Sequence, residues 1–151
     1  MNTSIATDLN NLISHIPDGS KLAVPKDTSG AAMAATRALV RRGVRDLRLI
    51  CVPVGGLQAD ILIGAGCVAS IETSAVSLSE FGPAPRFSEA VRRGTIKILD
   101  STCPAIYAGL QAAEKGLPFI PLRGIIGSDI LAQRDDWRVI DNPFQSGDKI
   151  V

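Results

Sequence analysis

The run Leu47-Arg-Leu-Ile-Cys-Val52 constrains this chain most. Leu47, Leu49, Ile50, Cys51 and Val52 are nearly continuous, so the pattern predicts a strand over 46–52 that is covered on both faces. Strands of that kind belong to parallel sheets, whose connections are long crossovers, usually helices. The flanking sequence supplies them. Short strands are read at 21–24, 68–76, 95–99 and 137–140. Between them lie helical patterns at 9–16, with Thr7-Asp8 as cap, and at 31–42, with Ser29 as cap and Gly43 as stop. Further helices are read at 57–63, ended by Gly64 or Gly66, at 86–93, ended by Gly94, and from Asp100-Ser-Thr-Cys-Pro104 to Lys115, ended by Gly116. This alternation gives an α/β fold with a mostly parallel sheet.

Composition narrows the reading. The 151 residues suffice for a single domain spanning 1–151 with a real core. Hydrophobic residues make up 46% but aromatics only 4%, so the core is aliphatic, and the excess implies apolar surface covered by another subunit. A net charge of +1 carries no nucleic-acid or anionic-membrane signal. The longest apolar run, 61–69, is far short of a membrane span, and the first residues lack the pattern of a signal peptide. Cys51, Cys67 and Cys103 show neither metal nor redox spacing and read as reduced thiols of a cytoplasmic protein.

Ligands of open parallel sheets sit beyond the carboxyl ends of the strands. Polar loops follow strands at 25–30, 77–85 and 100–103, which makes them candidates for one site. Glu80 stands before Phe81-Gly-Pro83, where a stiff loop can hold a carboxylate near a ligand; the alternative is a solvated loop acid. Cys103 at a helix start is either a dipole-stabilised thiolate or a small buried residue. The lone His15 is remote from any candidate nucleophile, and no metal-ligand cluster is present. Gly64-Ala-Gly66 lacks the third glycine of a dinucleotide fingerprint.

A second stretch, Gly116-Leu-Pro-Phe-Ile-Pro-Leu-Arg-Gly-Ile-Ile-Gly-Ser-Asp129, is too apolar for a surface loop and too rich in Gly and Pro for a helix. It reads as an extended piece, a bend, and a short helix capped by Ser128 or Asp129. Arg123 and the helix start could together attract an anion; the plainer reading is a buried crossover with a solvated arginine.

The segments Ala38-Leu-Val-Arg-Arg-Gly-Val-Arg-Asp-Leu47, Gly56-Leu-Gln-Ala-Asp-Ile-Leu-Ile-Gly-Ala-Gly66, Arg86-Phe-Ser-Glu-Ala-Val-Arg-Arg-Gly94 and Gly116–Gly124 with Gly127-Ser-Asp129 occur in an order that resembles the alpha subunits of family I coenzyme A transferases, the glutaconate type above all. Asp141-Asn-Pro-Phe144 is similar to that family's Asp-Pro-Phe-Thr-Gly hairpin. The resemblance implies a three-layer α/β/α fold, shared with ribose-5-phosphate isomerase, with the C-terminal part of the family domain missing. It implies CoA transfer between an acyl-CoA and a small carboxylic acid. No tightly bound cofactor is called for, and acyl-CoA is a substrate. A partner beta subunit would carry the nucleophilic glutamate, within a hetero- or homo-oligomer. It raises Glu80 to a candidate catalytic residue, with Ser29, Gly30, Arg123, Ser128 and Asp129 as candidate substrate- or CoA-binding residues. Where the family has a Gly-Gly-Phe loop associated with CoA and oxyanion binding, this chain has Pro25-Lys-Asp-Thr-Ser-Gly30. That departure leaves open an acyl-CoA hydrolase of the ring-opening type, and the short length a non-catalytic binding or assembly module.

Overall fold

The expected strand at the centre forms as β2, Leu47–Val52, in a computed structural model that describes residues 8–26 and 30–151. It lies between β1, Lys21–Pro25, and β4, Val68–Thr73, and β6, Lys97–Asp100, completes a four-stranded sheet of order β1-β2-β4-β6. Every pairing is parallel, with Leu22 opposite Leu49 and Leu49 opposite Ile71, itself opposite Ile98. Beyond the ends of β2 and β4, a parallel pair of short strands, β3 (Val54–Gly55) and β5 (Ala75–Val76), forms a separate ribbon.

Each strand in turn is added on the same side of the last, so right-handed crossovers place α2 (Met33–Arg42), α3 (Leu57–Gly64) and α4 (Pro85–Arg93) on one face. Helix α1, Leu9–Ser14, packs beside α2, and Asp8 caps it by accepting a hydrogen bond from the Asn11 amide at 2.8 Å. The core between this layer and the sheet is aliphatic: Val24, Leu39, Leu47, Leu49, Leu62 and Ile71 are buried in it. At Gly55 this core leaves no room for a side chain. A Cβ there would lie 2.7 Å from the Cys51 sulfur and 3.2 Å from both Ala59 and Val76. Helix α5, Cys103–Lys115, packs against β2 but contributes nothing to that core, so it belongs to the opposite layer.

The expectation that β2 is covered on both faces is corrected. Leu47, Leu49 and Cys51 are buried, Ile50 and Val52 half-buried, and Arg48 exposed. One face meets a full helical layer; α5 covers the other only in part. Helix α2 also starts later than read, at Met33, with Ala32 in the cap position and no side-chain cap; Ser29, the expected cap, lies outside the described residues. The single strand read over 68–76 is broken into β4 and β5 at Ser74.

After α5 the chain runs through the Gly/Pro-rich stretch to α6, Asp129–Ala132, and ends in an antiparallel hairpin of β7 (Ile140–Asp141) and β8 (Lys149–Ile150). Leu122 and Val151 exchange two backbone hydrogen bonds of 2.7 and 2.9 Å, which lays the stretch alongside the hairpin. Trp137, read as a strand start, precedes the actual strand by three residues.

Candidate functional site

The carboxyl ends of the strands converge, as the topology requires. Ser74, just past β4, donates from its hydroxyl to the Pro53 carbonyl past β2 at 3.0 Å, and its amide donates to the same oxygen at 3.1 Å. The Ser101 amide, past β6, donates to the Thr73 carbonyl at 3.1 Å. Cys103, in the first turn of α5, brings its sulfur 3.3 Å from the Ser74 oxygen. Because the Ser74 proton is committed to Pro53, the Ser74 oxygen is left to accept from the Cys103 thiol. Cys103 is exposed, which corrects the expectation of a small buried residue.

The other two thiols are sealed away. Burial pushes the Cys51 thiol up to about 11, against a weaker opposing hydrogen bond with Thr73, and raises that of Cys67 against the nearby Arg45. A thiol-specific disulfide reagent should modify one cysteine of the native protein rapidly and all three only after denaturation, and Cys103→Ser should remove the fast phase. Two rapid equivalents in the native state would contradict this burial pattern.

The loop carrying Glu80 leaves the same edge of the fold, after β5. It closes on itself: the Leu78 amide donates to Gly82, the Ser79 amide to the Ser77 hydroxyl, and Ser77 bridges to Pro83. Residues Ser79–Phe81 make one 3-10 turn, with Ser79 in the left-handed region at φ 57°. The fully buried Ala84 pins the end of the loop. Glu80 stands exposed on this rigid turn beside Phe81, which is 82% exposed, and makes no hydrogen bond or ion pair among the described residues. Gly30 is exposed at φ 75°, near the carboxyl end of β1, and Ser29 lies outside the described residues.

Arg123 lies in a different setting. Its guanidinium is held by the Asp148 carboxylate at 2.7 Å and the Gln145 amide oxygen at 3.2 Å, both on the hairpin. Ser128 occupies the cap position of α6, but its hydroxyl donates back to the Ile125 carbonyl at 2.7 Å and caps nothing. Asp129 begins a helix of only four residues and is exposed. No hydrogen bond or ion pair among the described residues joins Glu80 to Arg123, Ser128 or Asp129.

Two buried polar anchors were not singled out from sequence. Asp60, fully buried in α3, accepts from the Arg86 and Phe87 amides at 2.9 Å each and pairs with the Arg86 guanidinium at 3.1 Å. It thereby caps α4, whose own cap residue, Ala84, has no side chain able to do so. The one charged residue in the mostly apolar run 57–63 was the available signal. The second is Arg134, 4% exposed. It makes a bidentate pair with Asp136 at 2.8 Å, reaches Glu72 on β4 at 2.9 Å and the Asp100 carbonyl on β6 at 3.0 Å, and stacks 4.1 Å from the Trp137 ring. Burial opposes its charge most strongly, yet hydrogen bonds to Asp136 and Glu72 more than offset that and hold its proton more firmly than usual. No sequence pattern marks Arg134, since its partners in the sheet lie 62 and 34 residues away on β4 and β6.

Among the described residues no cluster of His, Cys, Asp and Glu is placed to hold a metal ion, and no helix is long and apolar enough to cross a membrane.

No protein-family model matches the chain. It is 30% identical over 132 residues to a 3-oxoadipate CoA-transferase subunit of Pseudomonas knackmussii, a match covering 85% of this chain and 46% of that protein. It is 35% identical over 115 residues to the cholesterol ring-cleaving hydrolase IpdA subunit of Rhodococcus jostii, covering 74% of this chain and 38% of that one. The crystal structure of glutaconate coenzyme A-transferase from Acidaminococcus fermentans superposes with a TM-score of 0.87 at 25% identity, over 97% of this chain and 52% of the other. The expected three-layer α/β/α architecture is thus the observed one. The chain belongs to the coenzyme A transferase alpha-subunit family and spans about half the length of the relatives it matches.

Proposed function

We propose that this chain forms part of a coenzyme A transferase, moving CoA between an acyl-CoA and a small carboxylic acid. What supports this reading is the meeting of Ser74 and Cys103 at the carboxyl ends of the strands of a parallel sheet, in a chain whose relatives include a CoA-transferase subunit. In the reaction, a carboxylate attacks the thioester carbonyl and expels the CoA thiolate, leaving an enzyme-bound acyl anhydride. The thiolate then attacks the enzyme carbonyl of that anhydride, releasing the first acid and leaving CoA as an enzyme thioester. The second acid reverses these steps. A beta subunit supplies the attacking glutamate. This chain shapes the pocket, with Glu80 facing the reacting groups and Ser29 and Gly30 near the CoA. Arg123, Ser128 and Asp129 fit a binding role only if the Arg123–Asp148 pair exchanges for a substrate carboxylate. The reaction is cytoplasmic, as the reduced thiols suggest.

Hydrolysis is the second reading. It is favoured by the loop that replaces Gly-Gly-Phe and by the similarity to a ring-cleaving hydrolase subunit. There a carboxylate activates water instead of attacking the thioester. Co-expression with a beta-type subunit, followed by assays of CoA transfer and of thioester hydrolysis across acyl-CoAs, separates the two. The expected outcome is transfer by the complex, and weak or no CoA binding by the chain alone in calorimetry. Tight stoichiometric CoA binding by the isolated chain would overturn the shared-site reading.

A further inference from the structure

Strands β2 and β4 both break before the β3–β5 ribbon, at Pro53 and Ser74, and the two breaks do not match. Ile50 on β2 pairs with Glu72 on β4, and Val54 on β3 pairs with Ala75 on β5, so the chain advances four residues on one side and three on the other. The pairing slips by one residue between sheet and ribbon. In strands, a slip of one exchanges the faces that side chains present, so whatever holds it decides where β5 and the loop after it point. Pro53 has no amide to give to a ladder, and its carbonyl takes both donors of Ser74, the hydroxyl at 3.0 Å and the amide at 3.1 Å. The same Ser74 oxygen meets the Cys103 sulfur at the start of α5, which steadies it. Downstream, Val76 sits opposite Gly55, where the missing side chain gives it room, and the Ser77 amide donates to the Gly55 carbonyl at 3.0 Å. Glu80 follows three residues later, on the closed turn.

We propose that Ser74 is a positioning residue for Glu80: its hydroxyl holds the one-residue slip between β4 and β5 and, through the ribbon, sets the direction of the Glu80 turn. The inference rests on the role proposed above for Glu80 in CoA transfer. Without the hydroxyl, the Pro53 carbonyl keeps only the Ser74 amide, and one hydrogen bond instead of two ties the strands at the slip. A shift of about 1 Å at a reacting group is enough to cost turnover heavily. The molecule supplies its own control. The Ser20 amide and hydroxyl also donate to one proline carbonyl, that of Pro17, at 3.3 and 2.6 Å, but ahead of β1, at the other end of the sheet.

Two measurements on Ser74→Ala test it. In hydrogen exchange on the chain, protection of the Ser77 and Leu78 amides should fall on the order of 10-fold while the β2 amides keep theirs, and Ser20→Ala should leave both sets unchanged. In the complex with a beta-type subunit, Ser74→Ala should lower kcat on the order of 10-fold at unchanged KM, and Ser74→Thr, which keeps the hydroxyl, should restore it. Added to Glu80→Gln, Ser74→Ala should cost nothing further, because the group it positions is already gone; a merely structural loss would multiply with that of Glu80→Gln. Unchanged protection of Ser77 and Leu78, or losses that multiply in the double variant, would overturn the proposal and leave Glu80 in the site. Unchanged turnover in Glu80→Gln would overturn the reading of Glu80 and this proposal with it.

Discussion

Replacing Arg134 with methionine should lower the unfolding free energy by about 2–4 kcal/mol, the largest stability loss predicted for a side chain outside the aliphatic core. The reason is the set of groups it joins. A guanidinium at 4% exposure holds Asp136 in its own segment, Glu72 on β4 and the Asp100 carbonyl on β6, so it fastens the C-terminal segment to the sheet. Methionine keeps much of the stem but leaves Glu72 and the Asp100 carbonyl without that donor. Arg134→Lys should lie between, because an ammonium cannot reproduce the two-point pairing with Asp136. The loss should be local first: protection of the Leu122 and Val151 amides against hydrogen exchange should fall before that of β2. The hydrogen bond from Arg134, ahead of the opposing effect of burial, holds the Asp136 carboxyl below its ordinary range. A carboxyl with a lowered folded-state pKa contributes stability above its unfolded pKa and loses it as pH falls through the folded value. Wild type should therefore weaken below about pH 4, and Arg134→Met should lack that part of the acid dependence. Equal urea midpoints for the two proteins would remove Arg134 as the anchor.

Where periodicity and punctuation decide structure, the chain was legible. Gly43, Gly94 and Gly116 each end a helix in the left-handed conformation, as their positions after periodic segments predicted. Thr102 caps α5 with Pro104 in its first turn, again as read. The 57–63 run, read as a helix, is the helix α3. What escaped the sequence was long-range. The run in β2 gave no sign that its second face would be only partly covered, because that depends on α5 arriving from more than fifty residues away. The unusual composition of 116–129 was visible, but its partner was not: Leu122 pairs with Val151, and Arg123 turns to Asp148. The loops that follow the strands were legible as loops, but Ser74, which joins the ends of β2, β4 and α5, was missed because a serine after a strand carries no pattern of its own.

Glu80→Gln carries the largest expected effect on activity. The turn that presents it is fixed by the Leu78–Gly82 and Ser77–Ser79 hydrogen bonds, so the amide should occupy the same place with the same fold and assembly. In this chain the carboxylate is exposed and unpaired among the described residues, so removing its charge should leave thermal stability nearly unchanged. If the partner subunit closes over this edge and Glu80 handles a proton there, turnover of the complex should fall by about 10²-fold or more. Glu89→Gln is the matched control. Glu89 sits on the solvent side of α4, paired with Arg92 and Arg93, and its loss should cost a few tenths of a kcal/mol in stability and nothing in turnover. The direct test is turnover of the two variants in the assembled complex with the same acyl-CoA and acceptor acid. A loss of about two orders of magnitude confined to Glu80→Gln is the predicted result; equal turnover in Glu80→Gln and Glu89→Gln would contradict a site built on this loop.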